Sequence, residues 1–70
     1  MKEYAVLIKF KSTGGAWSKP YTYKSHEPVN AGDVAVVPQY DFFAVGQVVS
    51  CHDVYKFNPD IEYKFIKCIV

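Results

Sequence analysis

Alternation of apolar and polar residues is the feature that most constrains how this chain folds. In residues 4–11 the apolar side chains at even positions alternate with a second set that ends in Lys9 and Lys11. A period of two places successive side chains on opposite faces of an extended chain, which is typical of a strand with one buried face. Gly14 and Gly15 follow within residues 12–15 and predict a tight hairpin turn.

Four further segments have the residue pattern of strands, and three of them contain or end at a proline or glycine. Pro20 indicates an edge or a bulge because proline cannot donate to a ladder. Pro38 ends a short apolar run, and Gly46 indicates a bulge or a sharp bend inside a longer one. The predicted strands are 17–24, 34–37, 43–50 and 61–69, with Ile61, Tyr63, Phe65 and Ile69 on one face of the last and Glu62, Lys64, Ile66 and Cys68 on the other.

The fold class follows from these segments and from the chain length. Seventy residues provide one hydrophobic core, so residues 1–70 are predicted to form a single β domain. No segment shows a helical period. We expect an all-β fold with five strands in a meander, as a strongly curved antiparallel sheet or a partly open barrel of SH3-like or OB-like kind. Six Tyr, five Phe and one Trp are expected to supply much of the buried area.

Cysteine usage and hydropathy indicate a reducing compartment. Cys51 and Cys68 are too few for a disulfide framework, although a single bond between them is an alternative. The N-terminus lacks the apolar region of a signal peptide, and the apolar runs are too short to cross a membrane. We therefore expect an intracellular, cytoplasmic protein with reduced thiols.

Charge is distributed unevenly around a net value of +1. Residues 1–24 carry five lysines against Glu3, whereas residues 25–62 carry six acidic residues against Lys56. Arginine, the residue preferred for bidentate phosphate and base contacts, is absent from the sequence. This composition disfavours a dedicated nucleic-acid binder.

Residue types that carry chemistry occur without the spacing that catalysis or metal binding needs. Cys51-His52-Asp53 is a candidate metal or nucleophile site, but adjacent strand residues point to opposite faces and paired ligands at short spacing are missing. We expect both cysteines to pack as small apolar residues and the acidic residues to cap turns. Gly14-Gly15 lacks a phosphate-loop pattern. We predict no enzyme activity, no metal and no cofactor.

The N-terminal hairpin interleaves cations with aromatic rings. Such an arrangement can stack bases and neutralise a nucleic-acid backbone. Alternatively, the rings belong to the core and the lysines protect edge strands from aggregation. The candidate nucleic-acid contacts are Lys9, Lys11, Lys19, Tyr21, Tyr23 and Lys24.

A second aromatic group occupies the tip that joins the third and fourth predicted strands. Tyr40 and Phe42 cannot both be buried if this loop is short, so they are candidate protein-contact anchors, together with Trp17. The alternative is that these rings plug the end of a barrel.

Three stretches within residues 20–66 resemble a group of short bacteriophage proteins with an SH3-like barrel. The stretches are Tyr21-Thr22-Tyr23-Lys24, the strand from Gly32 to Pro38, and Pro59-Asp60-Ile61-Glu62-Tyr63-Lys64. The resemblance carries no assigned activity. It implies a phage-type accessory protein that acts in the cytoplasm of a bacterial host.

Residues 21–50 are also similar to the N-terminal DNA-binding domain of the primosomal helicase PriA. Tyr21 and Tyr23 match its aromatic pair, and Gly32–Pro38 and Gly46–Val49 match its strand and return strand. The chain departs from that pattern at Thr22, which replaces an acid, at Asp33, which replaces a base, and at residues 39–41. These departures remove the groups most suited to contact DNA.

Together these features predict a non-catalytic binding module. Its expected partner is a protein of a bacterial host or phage. The alternative is a module that binds single-stranded DNA or DNA ends, as the PriA resemblance implies. A third hypothesis is weak self-association through exposed edge strands.

Overall fold

A computed structural model describes residues 2–39 and 42–70 of the chain. They form one five-stranded antiparallel sheet that is not closed into a barrel, so the all-β prediction is confirmed. No α-helix occurs in the described part of the chain, which accordingly holds no helix that could span a membrane. The strands are β1 (Tyr4–Lys9), β2 (Tyr21–Ser25), β3 (Val34–Gln39), β4 (Phe42–His52) and β5 (Cys68–Ile69).

The strand order β2-β1-β4-β3-β5 differs from the predicted meander. β1 pairs with β2 and β3 pairs with β4, as consecutive strands do. The eleven-residue β4 is long enough to pair with β1 as well, so β3 lies on the far side of β4 from β1 and β2. Residues 26–33 carry the chain across this distance.

The pairing of β1 with β4 is interrupted by a bulge in β4. The register between β1 and β4 shifts between Leu7 and Ile8, which leaves Val49 as the extra residue. Of the bulge or sharp bend predicted at Gly46, the bulge is wrong, since Gly46 pairs in register with Ala35. Glycine is needed there because β1 crosses closely: a Cβ atom would clash with Ile8 and lie 2.9 Å from the Lys9 carbonyl oxygen.

The predicted strand over residues 61–69 is mostly irregular. Before β5 it contributes an isolated bridge to β2: Lys24 N–H donates to the Lys64 carbonyl at 2.9 Å, and Ile66 N–H donates to the Lys24 carbonyl at 3.0 Å. The alternation breaks at this crossing, so Ile66, predicted on the polar face, packs against the core.

Residues 67–70 then cover the edge of β3. Lys67 N–H donates to the Val36 carbonyl, and Val70 N–H donates to the Val34 carbonyl, both at 2.8 Å. The C-terminal segment therefore bonds to β2 and then to β3, and it covers part of each edge through which self-association was expected.

The boundaries of β2 and β3 also differ from the prediction. β2 begins at Tyr21, and Trp17 forms only an isolated bridge with Lys11. β3 continues through Pro38 to Gln39. Proline is tolerated there because its nitrogen, which carries no hydrogen, faces the same edge of β3 that β5 covers but lies beyond the end of β5. β5 pairs only with Ala35 and Val36.

The core is aliphatic rather than aromatic. Its fully buried cluster contains valine, isoleucine and alanine, and Phe10 and Tyr23 contact it from a half-buried position. The expectation that aromatic rings supply much of the core is therefore wrong for its centre, because aliphatic side chains fill the fully buried positions of the sheet and the rings pack around them. The cluster is Val6, Ile8, Ala35, Val37 and Val48.

Candidate functional site

The face of the sheet opposite the core cluster exposes several large hydrophobic side chains. Alternation along β3 and β4 directs Ala35, Val37 and Val48 inward, so the residues between them point outward. On this outer face Val45 pairs across the strands with Val36. The members that are more than one-third exposed are Trp17, Val34, Phe43, Val45 and Val49.

Trp17 reaches this face from the turn that follows β1. Ser12 N–H donates to the Ala16 carbonyl at 2.8 Å, and Gly15 adopts a φ of 86° that suits glycine. Ser18 N–H then donates to the Phe10 carbonyl at 2.8 Å, which pins the returning chain beside β1. The Trp17 ring lies beside Val34 and Val45 in a shared hollow and stays 47% exposed.

Two lysines hold their ammonium groups against the Trp17 ring. Lys9 Nζ is 4.4 Å and Lys11 Nζ 5.8 Å from its centroid. We call Lys9, Lys11 and Trp17 the Trp17 cluster. Its cation–π contacts are of the exposed kind, each contributing roughly 0.5–1 kcal/mol.

At the other end of the row, Phe43 lies beside a third lysine. Lys67 Nζ is 5.2 Å from the Phe43 ring centroid, and Phe43 is 55% exposed. Phe42, the predicted anchor, is 61% exposed but belongs by strand parity to the opposite side of β4. Tyr40 lies outside the described residues. Trp17 and Phe42 therefore do not share a face, and Phe43 is the ring from this segment that joins Trp17.

The predicted nucleic-acid contacts divide into separate groups. Lys9 and Lys11 join Trp17, while Lys19 Nζ lies 5.9 Å from the Tyr21 ring centroid. Tyr23 packs against the core, where burial raises the pKa of its phenol above 10.0 and the neighbouring Tyr21 adds to the shift.

Lys24 is enclosed by a cage of rings and by a carboxylate. Its ammonium lies 3.0 Å from Glu3 Oε1 and 4.8 Å from the Phe57 ring centroid. Tyr63 and Phe65 lie further out, each at 5.9 Å. We call these five residues the Lys24 cluster. Sequence reasoning did not find it, because the rings come from a connection with no local pattern that relates them to β2.

The cysteine, histidine and aspartate residues do not converge. Both cysteines are free: Cys51 packs partly against the core as predicted, whereas Cys68 is exposed on the short edge strand β5, so the prediction that it packs is wrong. Within residues 2–39 and 42–70 no three His, Cys, Asp or Glu residues form a group able to hold a metal ion. Asp53, next to His52, pairs with Lys2 at 3.5 Å.

One hydroxyl–imidazole pair occurs on β4. Ser50 Oγ and His52 Nε2 are 3.0 Å apart, since residues two apart share a strand face. A nucleophilic serine also requires a group that orients the histidine and donors for an oxyanion. The adjacent Asp53 carboxylate is engaged by Lys2, so this geometry provides a surface hydrogen bond rather than a triad.

Comparison with protein-family models, with curated proteins and with solved structures finds no match for this chain.

Proposed function

We propose that this chain is a non-catalytic binding module that engages another protein through its outer face. By the resemblance of residues 20–66 to small phage proteins, the proposed role is that of an accessory protein acting on a host or phage protein in the bacterial cytoplasm. The observation that carries the proposal is the exposed row of Trp17, Val34, Phe43, Val45 and Val49 on one side of the sheet.

Exposed apolar residues are informative here because Trp17, Val34 and Val45 line one hollow and Phe43 follows on the same face of β4. Single hydrophobic residues on a surface need no explanation, whereas a continuous apolar patch typically marks a binding site. The row also ends in two aromatic rings, Trp17 and Phe43, and tryptophan is enriched among the residues that dominate binding energy.

The direct test compares capture of partners by two variants with the same substitution. Val45→Asp places a carboxylate in the centre of the outer face, and Val54→Asp places one on an 86% exposed residue outside it. We expect Val45→Asp to remove the proteins that the unaltered chain captures from a bacterial lysate, because a charge would be desolvated in the interface. Val54→Asp should retain them.

Folding has to be checked in both variants, since Val45 lies in a strand paired on both sides. Urea unfolding midpoints within a small difference of the unaltered chain would assign the lost capture to the surface. Equal capture by both variants would refute the assignment of the outer face.

The Trp17 cluster favours a second candidate function, namely single-stranded nucleic-acid binding. An exposed indole between two ammonium groups offers base stacking and phosphate pairing, and Lys19 beside Tyr21 repeats the arrangement. Fluorescence anisotropy of labelled single-stranded, duplex and overhang oligonucleotides tests it. Saturable binding that weakens steeply with salt would support this candidate, because phosphate contacts release counterions. Absence of binding at low salt would reject it.

A further inference from the structure

The outer face carries positive charge at both ends of its apolar row. Lys9 and Lys11 place their ammonium groups against Trp17 at one end, and Lys67 places its own against Phe43 at the other. Trp17 and Phe43 nevertheless remain 47% and 55% exposed. Cation and ring are therefore presented together to whatever approaches this face.

The carboxylates of the described residues do not engage these three lysines. The two ion pairs in that part of the chain join Lys2 to Asp53 and Lys24 to Glu3. An ammonium without a carboxylate partner keeps its attraction for an incoming anion, and a ring beneath it holds it in place.

We infer that the outer face selects a protein segment in which carboxylates flank an apolar or aromatic side chain. This inference rests on the proposed protein-binding function and adds the chemistry of the partner. The apolar side chain would contact Trp17 and Val45, while aspartate or glutamate residues on either side pair with Lys9 and Lys11 at one end and Lys67 at the other. Complementary charge at the rim of an interface speeds association and excludes partners of the wrong sign.

The aliphatic middle of the row favours an acidic protein segment over nucleic acid. Between the two cationic ends lie Val34 and Val45, which offer no aromatic surface on which bases could stack, and the neutral amide of Gln47 beside them carries no charge for a phosphate. Nucleic-acid sites instead repeat cations and rings along the strand, and arginine is absent from this chain. An apolar centre with a charged rim is the arrangement found at protein interfaces.

The experiment measures anisotropy of a fluorescein-labelled peptide in which aspartates alternate with leucines around a central phenylalanine. A peptide with lysine at every aspartate position and a labelled oligothymidylate serve as competing probes. We expect the acidic peptide alone to bind saturably. The double variant Lys9→Glu, Lys11→Glu should weaken its binding at least roughly tenfold. Lys56→Glu makes the same kind of charge change on an exposed residue of the 53–60 connection and should leave binding unchanged.

The outcomes separate the partner chemistry from the protein-binding function itself. Equal binding of the acidic and basic peptides, or acidic-peptide binding that the double variant does not weaken, overturns the inference. The inference is also overturned if the acidic peptide does not bind while Val45→Asp still removes the captured proteins. That result would leave the proposed protein-binding function in place. Tighter binding of oligothymidylate through the same lysines would replace the acidic segment by nucleic acid. If Lys9→Glu, Lys11→Glu unfolds, the milder Lys9→Gln, Lys11→Gln pair gives the same test with a smaller expected effect.

Discussion

The Lys24 cluster and the Trp17 cluster both place ammonium groups against aromatic rings, but they differ in how far those groups are enclosed. In the first, one ammonium lies among three rings and forms an ion pair with Glu3, and the lysine side chain is only 22% exposed. In the second, two ammonium groups share one ring that remains 47% exposed, with no ion pair inside the described residues. The first cluster is complete within the chain, whereas the second leaves both cation and ring accessible.

Position in the fold explains this difference. Lys24 lies on edge strand β2 at the point where residues 64–66 hydrogen-bond to it. The rings of residues 57–65 therefore lie over its side chain. Lys9 lies half-buried on the outer face of β1, where Trp17, itself 47% exposed, is the ring against its ammonium group. The cation–ring contacts of the Lys24 cluster therefore stabilise the fold, whereas those of the Trp17 cluster are available for binding.

The largest expected effect comes from neutralising the enclosed cation. Lys24→Met retains an apolar stem of similar length and removes the charge, so Glu3 loses its partner in a half-buried site. We expect the free energy of unfolding to fall by about 2 kcal/mol, which for a domain of this size lowers Tm by roughly 10 °C. Urea and thermal unfolding followed by circular dichroism measure both.

Lys9→Met is the matched control for that experiment. It removes a cation over a ring that water still reaches, so its cost should stay below about 0.5–1 kcal/mol. Equal destabilisation by the two substitutions would mean that the two clusters do not differ in the way described, and that Lys9 also belongs to the stabilising framework.

A smaller effect is expected when the two ion pairs of the described residues are compared. Lys24 and Glu3 are 22% and 38% exposed at their side chains, whereas Lys2 and Asp53 are 55% and 63% exposed. Double-mutant cycles with Glu3→Gln and Lys24→Met should give a coupling energy of about 1 kcal/mol, since solvent screens this pair less.

The corresponding cycle with Lys2→Met and Asp53→Asn should give a coupling close to zero, at most about 0.3 kcal/mol. The sharpest contrast is expected in high salt, which screens exposed charges first. A larger coupling for the exposed pair would contradict the assignment of the Lys24 cluster as the enclosed one.

Local pattern was sufficient to predict β1 and β4 but not the clusters. Alternation in residues 4–11 and the apolar run after Phe42 correspond to β1 and β4, because side-chain period is a property of a few neighbouring residues. Chain crossings are not local. The contact of Lys24 with Phe57 depends on where the C-terminal segment meets β2, and no spacing within either segment encodes it.

The same limit applies to the candidate site. The sequence indicated exposed rings at Trp17 and Phe42, and both are exposed. Apart from Gln47, the run Phe43–Val49 is apolar on both faces of β4, a signal that one face lacks a covering layer or serves an interface. Deciding which face was left uncovered required the strand order, because β4 pairs with both β1 and β3.

The smallest expected effect concerns pH and the residue next to Lys24 on β2. Burial raises the pKa of the Tyr23 phenol in the folded chain, with a further contribution from Tyr21, so ionising Tyr23 is harder in the folded than in the unfolded state. Its contribution to stability is therefore fully present below pH 10.0 and is lost as pH rises through the folded-state pKa.

Other groups also titrate at alkaline pH, so the informative quantity is the difference in stability between the unaltered chain and Tyr23→Phe. Urea unfolding measured in steps through this range should show stability falling more steeply for the unaltered chain than for Tyr23→Phe. Parallel slopes for the two proteins would place Tyr23 in solvent and outside the packed side of the sheet.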